Sequence, residues 1–519
     1  METWTLDAVD ERRLTLLAEV LALALKPGDL VTLSGDLGAG KSTFARALIR
    51  AALGDLSAEV PSPTFSLIQS YPTNRFEIAH LDLYRLASAD ELAELGLDES
   101  LTRGPALVEW PERAETALPH AALKISFRET SDPHLRRLDL AADDHFAERM
   151  TRCLQIMDFL TPVIGGDEAI AVSYLQGDAS ARRYARIATS AGSRVLMDSP
   201  RRPDGPPVRR GLPYSRIAHL AEDVRPFVAV ADALRTAGLS APEIFVSDLP
   251  GGLLLIEDFG DRVFGAELAT GASQRDLCQA ATETLVELRS LRVDAAFPLP
   301  DGTSYRPPIY DADALAIETE LLVDWLWPLV KGSPAPAEVR REFTDIWTGL
   351  IAKVLTEPPS LVLRDYHSPN LMWLPERSGI RRVGLLDFQD AVIGSAAYDL
   401  VSLLQDARLD VPADLERQLF AFYVAAVEKR EAAFDKIAFT AAYATLGVQR
   451  NTKILGIFAR LAMRDGKPRY LTHLPRIWGY LARGLEHDAL APLAAWYRRH
   501  WPAEDRAIPA WPPTARREP

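Results

Sequence analysis

Residues 29–53 restrict the architecture of this chain more than any other stretch. Asp29-Leu30-Val31-Thr32-Leu33-Ser34 is a short apolar run of strand length. It leads straight into Gly35-Asp36-Leu37-Gly38-Ala39-Gly40-Lys41-Ser42-Thr43. Phe44 to Leu53 then carry apolar side chains at helical spacing. Strand, glycine-rich loop and helix in this order predict an α/β unit, with the loop held between sheet and helix. The spacing Gly-x-x-x-x-Gly-Lys-Ser suits a phosphate cradle, because glycines let the backbone fold tightly enough for its N–H groups to point at a β-phosphate. Lys41 would neutralise β/γ charge, and the Ser42 hydroxyl would ligate Mg²⁺. The helix N-terminus adds its own preference for anions. The nucleotide-binding candidates are therefore Gly35, Gly38, Ala39, Gly40, Lys41, Ser42 and Thr43, with ATP and Mg²⁺ as cofactors.

A helical pattern over Leu14–Leu25 precedes this unit, and a strand-like run over Phe76–Leu86 follows it. Asp82, near the end of that run, fits a Mg²⁺ ligand, since a carboxylate facing the loop hydroxyl extends the oxygen coordination. The other role for Asp82, capping the Asp90–Leu95 stretch, fails on distance along the chain. Glu109, in Ala106-Leu107-Val108-Glu109-Trp110-Pro111, is either a metal and catalytic residue or a surface acid beside Pro111. His80 reads as a strand residue rather than a ligand. The blocks GDLGAGKST, SPTFSL, HLDLYRL, LGLDE and VEWPE arrive in one order over about the first 140 residues. In this they resemble the TsaE family, the ATPase component of the machinery that makes threonylcarbamoyladenosine in tRNA. The resemblance implies that Lys41 binds phosphate and that Ser42, Asp82 and Glu109 lie round the magnesium. It also implies that Thr64 belongs to a switch-like loop and that Trp110 flanks the nucleotide. The family commonly shows Thr where Ser42 stands, and either hydroxyl can ligate the ion. The implied partner is a TsaB/TsaD-type threonylcarbamoyl-transferase complex, with tRNA met only indirectly.

A second centre lies at Leu361–Asp399. Asp365 and Asn370 stand at the spacing Asp-x-x-x-x-Asn, and the apolar run Val383-Gly384-Leu385-Leu386 ends in Asp387-Phe388. This is the layout of a phosphotransfer centre. Asp365 would take the proton of a substrate hydroxyl, while Asn370 and Asp387 would supply hard oxygen ligands to Mg²⁺. Upstream, Gly177–Ile187 reads as strand, turn, strand, Ser193–Met197 as a third strand, and Leu253–Gly260 as an apolar strand ending in a hinge-like turn. In that turn the backbone near Glu257 is suited to adenine. Arg201–Leu212 reads as a mobile Pro/Gly/Arg loop, and Arg225–Ala237 as a helix.

The blocks GDASARRYARI, VLMDSP, LLLIEDFG, LRDYHSPNLMW and LLDFQDAVIGSAAYDLVSLLQDAR resemble the aminoglycoside phosphotransferase and choline kinase superfamily, and within it the AmgK-type sugar kinases. The resemblance implies phosphorylation of the anomeric hydroxyl of N-acetylmuramate and N-acetylglucosamine in cell-wall sugar salvage. It assigns Asp365 as base, Asn370 and Asp387 as magnesium ligands, and Asp399 as the brace of the catalytic loop. Two departures stand out. Leu363-Arg364-Asp365 replaces the usual His-Gly-Asp, and no lysine occurs between Lys124 and Lys331 to hold the α/β-phosphates from the third strand. Three readings follow. Arg182 or Arg183 replaces the lysine beside the turn at Ser180; or loop backbone and metal hold ATP alone; or the domain is a nucleotide-binding pseudokinase regulator. Kinase activity on another small hydroxyl substrate, such as choline, homoserine or an aminoglycoside, is a further alternative. Glu318, Glu320, Trp325 and Trp327 fit either a sugar site or the core, and Arg450, Lys453 and Arg460 either a substrate anion or a solvated helix face.

The expected fold is an α/β P-loop NTPase domain over residues 1–141, a linker or joining helix at 142–152, and an α+β two-lobed kinase-like domain. The latter has a small lobe at 153–262, a helical large lobe at 263–510 and a tail at 511–519. A net charge of -14 argues against a freestanding nucleic-acid binder. Two isolated cysteines give neither a metal-site spacing nor a disulfide framework, which suits a reducing compartment. With an acidic N-terminus and no apolar run of membrane-spanning length, a cytoplasmic location is expected.

Overall fold

The structure is a computed structural model that describes residues 1–88, 91–163, 171–175, 182–189, 192–201 and 203–511. The chain divides into two compact units, Met1–Pro200 with Phe245–Asp258, and Arg201–Ile244 with Phe259–Pro519. Among the described residues no helix is long and apolar enough to cross a membrane.

The first unit opens with β1 (Glu2–Val9), α1 (Glu11–Ala24), β2 (Leu30–Gly35) and α2 (Lys41–Leu53). It continues with β3 (Ile68–Pro72), β4 (Glu77–Asp82), β5 (Ala106–Glu109), β6 (Leu123–Glu129) and β7 (Arg136–Ala142). These strands make one sheet in the order β1-β7-β6-β2-β5-β4-β3. β2 runs parallel to both β5 and β6, and β4 parallel to β5, so the apolar strands Leu30-Val31-Thr32-Leu33 and Ala106-Leu107-Val108 are buried centrally. α1 starts where the Asp10 carboxylate accepts the Arg13 N–H at 2.7 Å. At its other end the Arg75 guanidinium donates to the carbonyls of Ala22 and Leu25 at 2.9 and 2.7 Å, occupying acceptors that a helix end leaves free.

The segment 142–152, expected as a linker or the start of a joining helix, enters α3 (Asp144–Leu160), one unbroken helix whose N-cap Asp143 accepts the Phe146 N–H at 2.8 Å. The expected small-lobe boundary at residue 153 therefore falls inside a helix, because Phe146, Met150, Cys153, Met157 and Leu160 make one continuous buried stripe. Beyond it lie β8 (Ala171–Leu175), β9 (Arg183–Thr189), β10 (Gly192–Asp198), β11 (Ile244–Asp248) and β12 (Leu253–Glu257), a second sheet in the order β11-β12-β10-β9-β8.

One face of this second sheet shares a hydrophobic core with the helices of the first. Val172, Ala185, Ile187, Leu196, Leu253 and Leu255 join Leu17 and Leu21 of α1, Ile49 of α2 and Met157 of α3. Polar groups complete the joint. Glu19 of α1, 2% exposed, accepts the N–H of Val172 on the edge strand β8 at 3.1 Å. Burial pushes its carboxyl up to about 8, against the opposing effect of that hydrogen bond. Arg152 of α3 clasps Asp198 of β10 at 2.9 and 2.7 Å, and Arg183 reaches the other Asp198 oxygen at 2.6 Å.

The second unit is largely helical around α4 (Ala312–Leu321), which carries the buried Glu318. Near the second centre, β13 (Pro359–Val362) pairs antiparallel with β16 (Val392–Ser395), and the hairpin between them pairs β14 (Leu371–Trp373) with β15 (Val383–Leu385). α5 (Ala397–Leu404) follows β16, and the 28-residue α6 (Lys436–Met463) buries Gln449, Arg450, Asn451 and Thr452. In the Arg201–Leu212 loop, expected to be mobile, Pro207–Arg209 pairs with Leu212–Pro213, and Arg209–Glu320 and Arg210–Asp313 ion pairs tie this short hairpin to α4.

Candidate functional site

The first site assembles at the C-terminal ends of β2, β4 and β5, where an open parallel sheet offers its crevice. β2 ends at Gly35 (φ +140°), where a Cβ would sit 2.5 Å from the Phe127 carbonyl, and Gly40 (φ +111°) turns the chain into α2. Only glycine meets both demands. Lys41 opens α2 and donates from Nζ to the carbonyls of Gly35 and Asp36 at 2.7 and 2.8 Å. The same Nζ lies 3.7 Å over the Trp110 ring. Trp110 holds that position at φ +60°, a conformation costly for a bulky residue. Burial lowers the Lys41 ammonium below its usual range, opposed by Glu109, Glu112, Asp82 and Asp36.

The parallel pairing of β4 and β5 sets Asp82 opposite Glu109. The Ser42 hydroxyl donates to Glu109 Oε2 at 2.8 Å. Asp82 Oδ2 accepts the hydroxyls of Ser62 and Thr64 at 2.6 and 2.9 Å, and Oδ1 accepts the Tyr84 N–H at 3.0 Å. The result is a cavity of about 340 Å³ lined by Gly38, Gly40, Lys41, Ser42, Thr43, Thr64, Asp82, Glu109 and Trp110, among others. Gly35 and Ala39 stand behind the loop, Ala39 buried and its carbonyl taken by Arg136 at 3.2 Å. Glu109 is 1% exposed, so the surface-acid alternative does not describe it. Sequence reasoning gave no site role to Ser62 or Tyr84, and read His80 only as a strand residue, which it is. Ser62 bonds Asp82, Tyr84 packs on Trp110 with ring centroids 4.9 Å apart, and His80 Nε2 meets Glu109 Oε1 at 2.9 Å. The period-two alternation of β4, which sets His80 and Asp82 on one face, was the available signal.

The second site is built within the second unit. α5 presents Asp399, whose oxygens accept the backbone N–H groups of Leu363 and Arg364 at 2.6 and 2.9 Å. Burial raises the Asp399 carboxyl to about 7 against those two bonds. Arg364 takes φ +68° where the usual motif has glycine. Its guanidinium donates to the Ala218 carbonyl at 2.8 Å and pairs with Glu318. Burial alone would raise Glu318; Lys453, 2.8 Å away, and Arg364 instead hold it down at about 2. Asp365 follows in this pinned turn, and the Asn370 amide donates to its carbonyl at 3.0 Å. Asn370 immediately precedes β14 and Asp387 lies just beyond the end of β15, so their hairpin brings the two together. The Leu386 N–H donates to the Asn370 carbonyl at 3.0 Å, and Gln389 Nε2 to Asp387 Oδ1 at 2.9 Å. Asp387 sits at φ +55°.

The remaining candidates are spread more widely. Arg183 shares a face of β9 with the core residues Ala185 and Ile187 and is engaged by Asp198. Arg182 directly precedes β9, Ser180 lies outside the described residues, and Glu257 ends β12 opposite Arg194. Met197 of β10 lies between Tyr184 and Leu254. Trp327 packs against Trp501 with centroids 5.7 Å apart, a core role, while Trp325 is half-buried. Arg450 and Lys453 are buried in hydrogen bonds and ion pairs, and Arg460 lies over the Tyr214 ring, so none belongs to a solvated helix face.

Among the described residues no group of three or more His, Cys, Asp or Glu side chains could hold a metal ion by itself. The donors present are hard oxygens in small sets, Ser42 with Asp82 and Glu109, and Asn370 with Asp387. That chemistry fits Mg²⁺ arriving with nucleotide phosphates, since this ion keeps phosphate and water ligands beside one or two carboxylates.

The family described as Threonylcarbamoyl adenosine biosynthesis protein TsaE matches residues 8–138, and the Phosphotransferase enzyme family matches residues 171–436. The N-acetylmuramate/N-acetylglucosamine kinase of Caulobacter vibrioides is 39% identical over 341 residues, 64% of this chain and 92% of that protein. The protein of the same description from Pseudomonas aeruginosa is 35% identical over 309 residues, 59% of this chain and 80% of that protein. The tRNA threonylcarbamoyladenosine biosynthesis protein TsaE of Rickettsia felis is 48% identical over 117 residues, 22% of this chain and 68% of that protein. The chain belongs to two families at once, joining a TsaE-type ATPase to a kinase of the phosphotransferase enzyme family.

Proposed function

We propose that the first site hydrolyses ATP in support of tRNA threonylcarbamoyladenosine formation, and that the second transfers phosphate from ATP to the anomeric hydroxyl of N-acetylmuramate or N-acetylglucosamine. In this reading residues 1–141 hold the ATPase, residues 153–510 the kinase, and α3 belongs to both. Ser42, Asp82 and Glu109 would hold Mg²⁺ in one site, and Asn370 and Asp387 in the other, where the ion would supply charge neutralisation at the phosphates. In the ATPase, Glu109 takes a proton from the attacking water as that oxygen bonds to the γ-phosphorus and the bond to the ADP oxygen breaks. In the kinase, Asp365 does the same for the sugar hydroxyl. The proposed partner of the first domain is a TsaB/TsaD-type threonylcarbamoyl-transferase complex. The proposed compartment is the cytoplasm, where the free thiols Cys153 and Cys278, both buried, stay reduced.

The observation that carries the kinase reading is the pinned turn at Leu363–Asp365, because it fixes a base next to a hairpin bearing two oxygen ligands. The test is the full chain with Mg-ATP and each amino sugar, followed by ³¹P NMR. A sugar 1-phosphate is expected; bound nucleotide with no transfer to either sugar would overturn the reading. For the ATPase, adding the chain to a TsaB/TsaD-type complex should raise repeated turnover of tRNA modification. An unchanged rate would refute that half.

A further inference from the structure

We infer that His80 is a positioning residue for ATP hydrolysis, fixing the direction in which Glu109 presents its carboxylate. The inference rests on the role proposed above for Glu109. His80 is 1% exposed on β4, and its Nε2 lies 2.9 Å from Glu109 Oε1. A carboxylate oxygen accepts, so His80 Nε2–H is the donor in this contact. Among the described residues its Nδ1 is buried with no hydrogen-bond partner. A histidine serving only to fill the core would be expected to satisfy both nitrogens or to give way to an apolar side chain.

The geometry supplies a reason for keeping it. Glu109 divides its two oxygens between two neighbours: Oε1 goes to His80, and Oε2 to the Ser42 hydroxyl at the cavity edge. With one oxygen tied to His80, the carboxylate cannot rotate about its terminal bond without breaking that hydrogen bond. The other oxygen then stays aimed into the cavity when Ser42 turns to the metal. A base oriented by a third group is a recurrent device for a proton acceptor. The register assists, since Asp82 pairs with Glu109 across β4 and β5, and His80 sits two residues back on the same face.

The test compares His80→Phe, His80→Gln and Glu109→Gln in the full chain, with sugar phosphorylation by the same samples reporting that the chain is folded. His80→Phe keeps the volume and removes the donor; His80→Gln keeps an N–H near the Nε2 position. Expected for His80→Phe is a fall in kcat for ATP hydrolysis of about 10- to 100-fold, with KM for ATP and the affinity for a fluorescent ADP analogue within about twofold. His80→Gln should recover most of the loss. Equal kcat in His80→Phe and the parent chain, or equal loss in both His80 variants, would overturn the inference, as would a loss confined to nucleotide affinity. Unimpaired hydrolysis by Glu109→Gln would instead refute the role of Glu109 itself, so the two failures are distinguishable.

Discussion

Arg364 and Glu318 form an ion pair with side chains only 3% and 0% exposed, 46 residues apart in the chain. The arginine stands directly before Asp365, the proposed base, and the glutamate also receives Lys453 Nζ at 2.8 Å and Gln449 Nε2 at 3.0 Å. The position at which the usual motif has a small residue is thus held by a buried charge network. Removing one member strands the rest, and breaking a buried pair costs about 3–5 kcal/mol. Glu318→Gln should lower the thermal midpoint of the large lobe by several degrees, read by calorimetry. A midpoint shift below a degree would show that the network contributes little.

Asp365→Asn should reduce sugar phosphorylation by about 10²–10⁴-fold, the usual size of a general-base loss. ATP hydrolysis at the first site should be unaffected in the same preparation. Near-normal phosphate transfer would show that Asp365 is not the base.

Lys41→Ala should abolish hydrolysis at the first site while phosphate transfer to sugar persists, because Lys41 has its carbonyl and ring partners only around the first cavity. Parallel assays of both activities on one sample decide this. Loss of both would contradict separate sites.

Glu19 predicts a pH dependence. Its carboxyl is raised by burial from 4.5 to about 8, so the folded chain retains a proton that the unfolded chain releases. That contribution is complete below about pH 4.5 and is lost as pH rises through 8. Glu19→Gln keeps an acceptor for the Val172 N–H and removes the titration. Its melting temperature should gain on the parent chain progressively from pH 5 to pH 8, corresponding to a stability difference on the order of a few kcal/mol at the upper end. Parallel curves for the two proteins would refute the assignment.

The shared core of the first unit makes a further demand. A fragment starting at residue 152 would cut α3 and remove the α1 cover from Val172, Ile187, Leu196 and Leu255. Such a fragment is expected to aggregate, whereas the full chain stays soluble; size-exclusion chromatography of both checks this. A monodisperse fragment would show that the second sheet does not need the ATPase helices.

Much of both sites could be read from residue order, since local rules governed it. A glycine-rich loop between strand and helix, two carboxylates at strand ends, and an Asp-x-x-x-x-Asn turn before a short strand each place their donors within a few residues of backbone. Period-two and 3.6-residue burial patterns marked the strands and helices for the same reason. The partners emerged only in the folded chain. Glu19 meets Val172 across 153 positions, Glu318 meets Arg364 across 46, and Arg183 is drawn to Asp198 on the face of its strand that packs against α1 and α3. His80 gained its role only when β4 and β5 were paired in register. Residue order marked which groups are the candidates to bind phosphate and take a proton. Packing chose which of them are buried, paired and aimed, because a buried charge or an unmet N–H must find its partner wherever the fold brings one, at a sequence distance that no local pattern encodes.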